Sequence, residues 1–77
     1  MPHRLPVVSG REAVMVFEKA GWRIKRRSSS HVVMTKARVA KTLSIPDHKE
    51  LKRGTLRGLI YDAGLTVQEF IELLRGK

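Results

Sequence analysis

The sequence predicts an α+β domain of order αβββα: a three-stranded antiparallel sheet with helices on one face, and a short extra helix at the C-terminus. Three observations predict it. Ser9-Gly10-Arg11-Glu12 and Thr66-Val67-Gln68-Glu69 are capping boxes, each leading into an apolar stripe of helical spacing. From Trp22 to Ile45 apolar residues instead tend to alternate with polar ones, the period of a strand. Leu56, Leu59, Ile60 and Ala63 then return to helical spacing.

Residues 1–8 hold two prolines and no periodicity, which predicts a flexible lead-in to a single domain over 9–77. His3, within that lead-in, is assigned no role. The first helix should run from Ser9 to Ala20, burying Ala13, Val16, Phe17 and Ala20, with Gly21 as its left-handed stop. Trp22 to Arg26 reads as a strand with Trp22 and Ile24 inward and Arg23 and Lys25 outward. Arg27 to Ser30 should turn the chain, because serine side chains compete with regular structure for backbone hydrogen bonds.

His31 to Lys36 forms the second strand, with His31, Val33 and Thr35 on one face and Val32, Met34 and Lys36 on the other. Ala37 to Ala40 must reverse the chain although it has none of the residues turns favour. Lys41 to Ile45 is the third strand, Leu43 and Ile45 inward, and Pro46 ends it. Asp47 to Lys52 is a polar loop carrying Lys49 and Lys52, Thr55 is the expected N-cap of the second helix, and Gly64 closes that helix. Gly58 should weaken it by roughly 1 kcal/mol unless the missing side chain permits close packing. Val67, Phe70, Ile71 and Leu74 give the last helix its stripe. Trp22 is expected in the core, and Tyr61 at a position buried or beside it.

A chain of 77 residues without cysteine can form only one small core and cannot staple it with disulfides or thiolate-bound metal. A stabilising partner protein is therefore expected. Sixteen Lys and Arg against seven Asp and Glu give a net charge of +9, which concentrates polyanions at the surface and favours nucleic acid. No stretch pairs a long apolar face with a lysine-rich one, so membrane binding is not expected. Leu5-Pro6-Val7-Val8 is too short and broken for a signal peptide, so a cytoplasmic location is expected.

The acids are few, Glu12, Glu18, Glu69 and Glu72 are explained by caps or exposed helix faces, and no cluster of His or carboxylates has metal-binding spacing. No metal or cofactor is expected. The absence of a phosphate-binding glycine loop excludes an NTPase. The chemistry left open is metal-independent RNA cleavage, in which a base takes the 2′-hydroxyl proton while cations stabilise the charged transition state. Histidine suits it, since an ordinary imidazole titrates near pH 6.5. His31 stands where the basic, serine-rich turn becomes a strand, beside the hydroxyls of Ser28, Ser29 and Ser30. Its position alone leaves it open between an acid/base group and a structural side chain. His48 likewise is a second acid/base group, a phosphate contact or a loop anchor. The candidate RNA contacts are Arg23, Lys25, Arg27, Ser29, Ser30, Lys36, His48, Lys49, Lys52, Arg53 and Arg57, the later cations lying at the start of the second helix, where its dipole also attracts phosphate.

Ser29-Ser30-His31-Val32, Ile45-Pro46-Asp47-His48, Leu51-Lys52-Arg53-Gly54-Thr55-Leu56-Arg57 and Ala63-Gly64-Leu65-Thr66, in that order, resemble the HicA family of toxins from bacterial and archaeal toxin–antitoxin pairs. The likeness runs from Ser9 to Leu74. It implies a double-stranded-RNA-binding-domain-like fold, ribosome-independent cleavage of mRNA, and restraint by a HicB-type antitoxin, with DNA engaged only through the antitoxin complex. It also implies that His31, at the position of the family's catalytic histidine, is catalytic. Ser29 stands where the family usually has glycine, and Ala37 to Ala40 replaces an Asp-Gly type turn. Readings without catalysis are an RNA-binding module, or a toxin relic acting in a protein–nucleic-acid complex.

Overall fold

A computed structural model describes residues 4–76. The elements follow as α1 (Gly10–Lys19), β1 (Arg23–Arg27), β2 (His31–Lys36), β3 (Val39–Pro46), α2 (Arg53–Asp62) and α3 (Val67–Leu74). The strands form one antiparallel sheet in the order β1-β2-β3. This is the α+β arrangement that the sequence predicts.

Both capping boxes form. Ser9 Oγ accepts from the Glu12 N–H at 3.1 Å and the Glu12 carboxylate accepts from the Ser9 N–H at 2.9 Å. Thr66 and Glu69 repeat the exchange at 3.0 and 2.8 Å. Each satisfies two N–H groups that a bare helix end would leave unpaired.

Val32 and Met34 of β2 and Leu43 and Ile45 of β3 are buried against the helices, where they meet Phe17 of α1, Leu56 and Ile60 of α2 and Phe70 of α3. Phe17 and Phe70 pack with ring centroids 5.6 Å apart at 56°, joining α1 to α3. Lys19 extends that junction by donating to the Leu73 carbonyl at 2.9 Å, placing a cation at the end of α3. The other sheet face has no helix on it. Thr42 and Ser44 there are exposed, and Val33 and Thr35 half-buried.

Several boundaries differ from those expected. β1 begins at Arg23, with Trp22 buried just before it, and extends through Arg27, so the turn shrinks to Ser28 to Ser30. β3 begins at Val39, two residues early, because Lys36 pairs with Val39 and leaves Ala37 and Arg38 as the loop. Arg38 makes this possible by taking the left-handed conformation, φ +68°. α2 starts at Arg53 with Lys52 as N-cap, ahead of the expected Thr55; Leu51, buried and hydrogen-bonded to the Val8 carbonyl at 2.8 Å, delivers the chain to the helix one turn before Leu56.

Of the expected lead-in over 1–8, residues 1–3 lie outside the described residues, and Leu5 and Val8 are buried in the core. That part is packed chain, since apolar side chains are worth more inside than in water. Tyr61, expected at or beside the core, is 79% exposed because Leu56, Leu59, Ile60 and Ala63 fill the buried stripe of α2.

Candidate active site

His31 is the first residue of β2 and is exposed. Its neighbour Val32 faces the core, so alternation turns the imidazole toward the uncovered face. Its cross-strand partner is Pro46, at the end of β3.

The serine turn fixes the backbone here. The Ser28 N–H donates to the His31 carbonyl at 2.9 Å, and Ser28 Oγ accepts from the N–H groups of His31 and Ser30 at 3.1 and 3.4 Å. Ser30 Oγ is 2.9 Å from His31 Nδ1. The Ser30 carbonyl accepts from the Asp47 N–H at 2.8 Å, which ties the histidine turn to the start of the β3–α2 loop. Ser29 lies exposed between them and is not among the residues with positive φ. The backbone here does not require glycine, so serine fits without strain.

The cations fall into two groups. Arg23 and Lys25 of β1 are exposed, with Arg23 paired to Thr35 on the uncovered face. Lys49, Lys52, Arg53 and Arg57 are exposed on the β3–α2 loop and α2. α2 begins with no side-chain cap and no acid in its first turn, leaving the positive end of its dipole to solvent.

Three of the candidate residues also have protein contacts of their own. Lys36 is half-buried and donates to the Ala20 carbonyl at 3.0 Å, capping the end of α1. Arg27 pairs with buried Val32, on the helix side, where it lines a cleft of about 310 Å³ with Met15 and Glu18 of α1. A bulge at Lys25 causes this by shifting the register by one residue, which strict alternation did not anticipate. His48 accepts through its carbonyl from the Gly10 N–H at 2.9 Å, and the residue lines a separate cleft with Ser9, Arg11 and Lys49. Among the described residues no group of three or more His, Cys, Asp or Glu is placed to hold a metal ion, and no helix is long and apolar enough to cross a membrane.

Residues 10–65 match the family described as the HicA toxin of bacterial toxin–antitoxin. The chain belongs to the HicA toxin family. That span covers most of the protein, from the first residue of α1 past the end of α2, and includes the histidine turn and both cation groups. No curated protein matches the chain in sequence. As a HicA-family toxin it is one component of a toxin–antitoxin pair, which implies an antitoxin partner.

Proposed function

We propose that this toxin is an endoribonuclease that cleaves mRNA in the cytoplasm without a metal ion, with His31 as its base, and that a HicB-type antitoxin silences it. The observation that carries the reading is the 2.9 Å contact between Ser30 Oγ and His31 Nδ1 on an exposed imidazole. In the tautomer that donates Nδ1–H to the serine, Nε2 holds the lone pair and faces solvent. A ribose 2′-hydroxyl brought to Nε2 gives up its proton, and its oxygen adds to the adjacent phosphorus. The bond to the 5′-oxygen breaks, that oxygen takes a proton from water, and the RNA is left with a 2′,3′-cyclic phosphate and a free 5′-hydroxyl.

The remaining candidates hold the strand. Arg23 and Lys25 border the uncovered face, while Lys49, Lys52, Arg53 and Arg57 continue the positive field onto α2. Ser29, exposed at the turn, meets the RNA backbone through its hydroxyl, and His48 contributes a loop contact.

The test is cleavage of a long single-stranded transcript in EDTA by wild type and His31→Ala. Wild type should cut and the variant should not. Equal cutting by both removes His31 from the chemistry, and inertness of both favours a binding module or relic. Growth arrest on expression, relieved by co-expressed HicB-type antitoxin, tests the toxin pairing separately.

A further inference from the structure

The bulge that takes Arg27 off the uncovered face brings Arg26 onto it. Strict alternation from Ile24 would set Arg26 against the helices. The observed pairing joins Ile24 to Met34 and then, past Lys25, Arg26 to Val33. Directly opposed residues project to the same side of a sheet, and Val33 lies on the side away from buried Val32 and Met34. Arg26 therefore shares a face with His31, which precedes Val33 by two residues. The two are diagonal neighbours across β1 and β2, a relation of about 7–8 Å that long side chains bridge.

We propose that Arg26 grips the scissile phosphate and is a second catalytic residue, an inference that rests on the reading of His31 as the base. Arg26 is exposed, and among the described residues no ion pair engages it. Its planar fork offers two parallel N–H donors, which match the two non-bridging oxygens that gain charge as the 2′-oxygen adds to phosphorus. Donors aimed at developing charge act on the transition state more than on the bound substrate. Val33, half-buried between Arg26 on one side and Ser44 on the other, supplies an apolar floor beneath the ribose-phosphate. Arg23 is one pair further from His31, opposite Thr35, and Arg27 is on the opposite side.

The experiment measures single-turnover cleavage of a single-stranded transcript in EDTA, at saturating protein, for wild type, Arg26→Ala, Arg26→Lys, Arg27→Ala and His31→Ala. RNA affinity is measured in the His31→Ala background with and without Arg26→Ala. Arg26→Ala should lower the saturated rate about 100-fold, the loss typical of one transition-state donor, while the affinity changes by less than about tenfold. Arg26→Lys should recover part of the rate, and Arg27→Ala should stay within about threefold of wild type. Unchanged thermal melting of Arg26→Ala would show that the fold is intact. If His31→Ala is inert but Arg26→Ala cuts as fast as Arg27→Ala, the Arg26 assignment is overturned and the His31 reading survives. A loss confined to affinity overturns it equally. If His31→Ala cuts like wild type, the His31 reading fails, and this inference with it.

Discussion

Ser30 Oγ and His31 Nδ1 are 2.9 Å apart, so adjacent residues in the chain place a hydroxyl on the ring nitrogen away from the proposed substrate side. Such a partner orients the ring and, where it accepts from Nδ1–H, leaves Nε2 free to act as the base. A neutral hydrogen bond contributes about 1 kcal/mol, so Ser30→Ala should slow RNA cleavage about fivefold. Ser28→Ala removes an oxygen that accepts from two backbone N–H groups and should lower stability by about 1 kcal/mol. Comparing saturated rates with urea midpoints separates the two serines. A Ser30→Ala chain cutting at the wild-type rate would remove the hydroxyl from the mechanism.

Gly10 and Gly58 should respond in opposite ways to alanine. A Cβ at Gly10 would collide with the Pro46 carbonyl oxygen, where α1 abuts the end of β3, whereas a Cβ at Gly58 meets nothing within 4 Å. Gly10→Ala should cost about 2 kcal/mol through forced backbone movement. Gly58→Ala should add about 1 kcal/mol from helix propensity, raising Tm by roughly 4–8 °C. Thermal melts of both variants check the pair.

The same contrast shows what the sequence could reveal. Helix caps and apolar stripes are local, so Ser9, Thr66 and the Phe17 and Phe70 positions were readable from spacing alone. His31 at the head of a strand was readable for the same reason. The bulge at Lys25 was not, because an extra residue in one strand is defined only against its partner, and Ile24 and the run of cations after it fit either register. Hence Arg27, read as the start of the turn, belongs to β1, and Arg26 was passed over. The bond from Lys36 to a carbonyl 16 residues away was likewise beyond any local pattern.

Lys36→Met should test whether Lys36 serves the end of α1 or the RNA. Losing the contact to the Ala20 carbonyl removes a cation from the end of α1 and should cost about 1 kcal/mol of stability. RNA affinity should hold, and the salt dependence of binding should keep its slope, since no phosphate contact is lost. A slope shallower by about one unit would return Lys36 to the RNA surface.

Lys41 is held above the ordinary lysine pKa of 10.5 by its hydrogen bond to Asp62 at 2.9 Å and by that residue's charge. The folded pKa exceeds the unfolded one, so the pair's contribution is complete below the unfolded value and fades as pH rises through the folded one. Any difference in melting temperature between wild type and Lys41→Met should be constant from pH 7 to 9 and shrink above about pH 10.5. Exposure of Lys41 beside a half-buried Asp62 keeps that difference small. A difference that grows with alkalinity would contradict the assignment.

Arg38 carries the β2–β3 turn in the left-handed region, φ +68°, where a side chain costs roughly 1–2 kcal/mol. Glycine at this position would remove that cost but add about 0.5–1 kcal/mol of unfolded-chain entropy, so Arg38→Gly should gain only about 0.5 kcal/mol. Arg38→Val should instead lose 1 kcal/mol or more, because a branched Cβ tolerates positive φ least. Urea titration of both variants decides it, with unchanged m-values showing that only the turn has responded. Equal stability of the glycine and valine chains would mean that the hairpin does not need the left-handed residue. The long pairing from His31 to Pro46 across to Val39 and Lys36 would then hold the turn by itself.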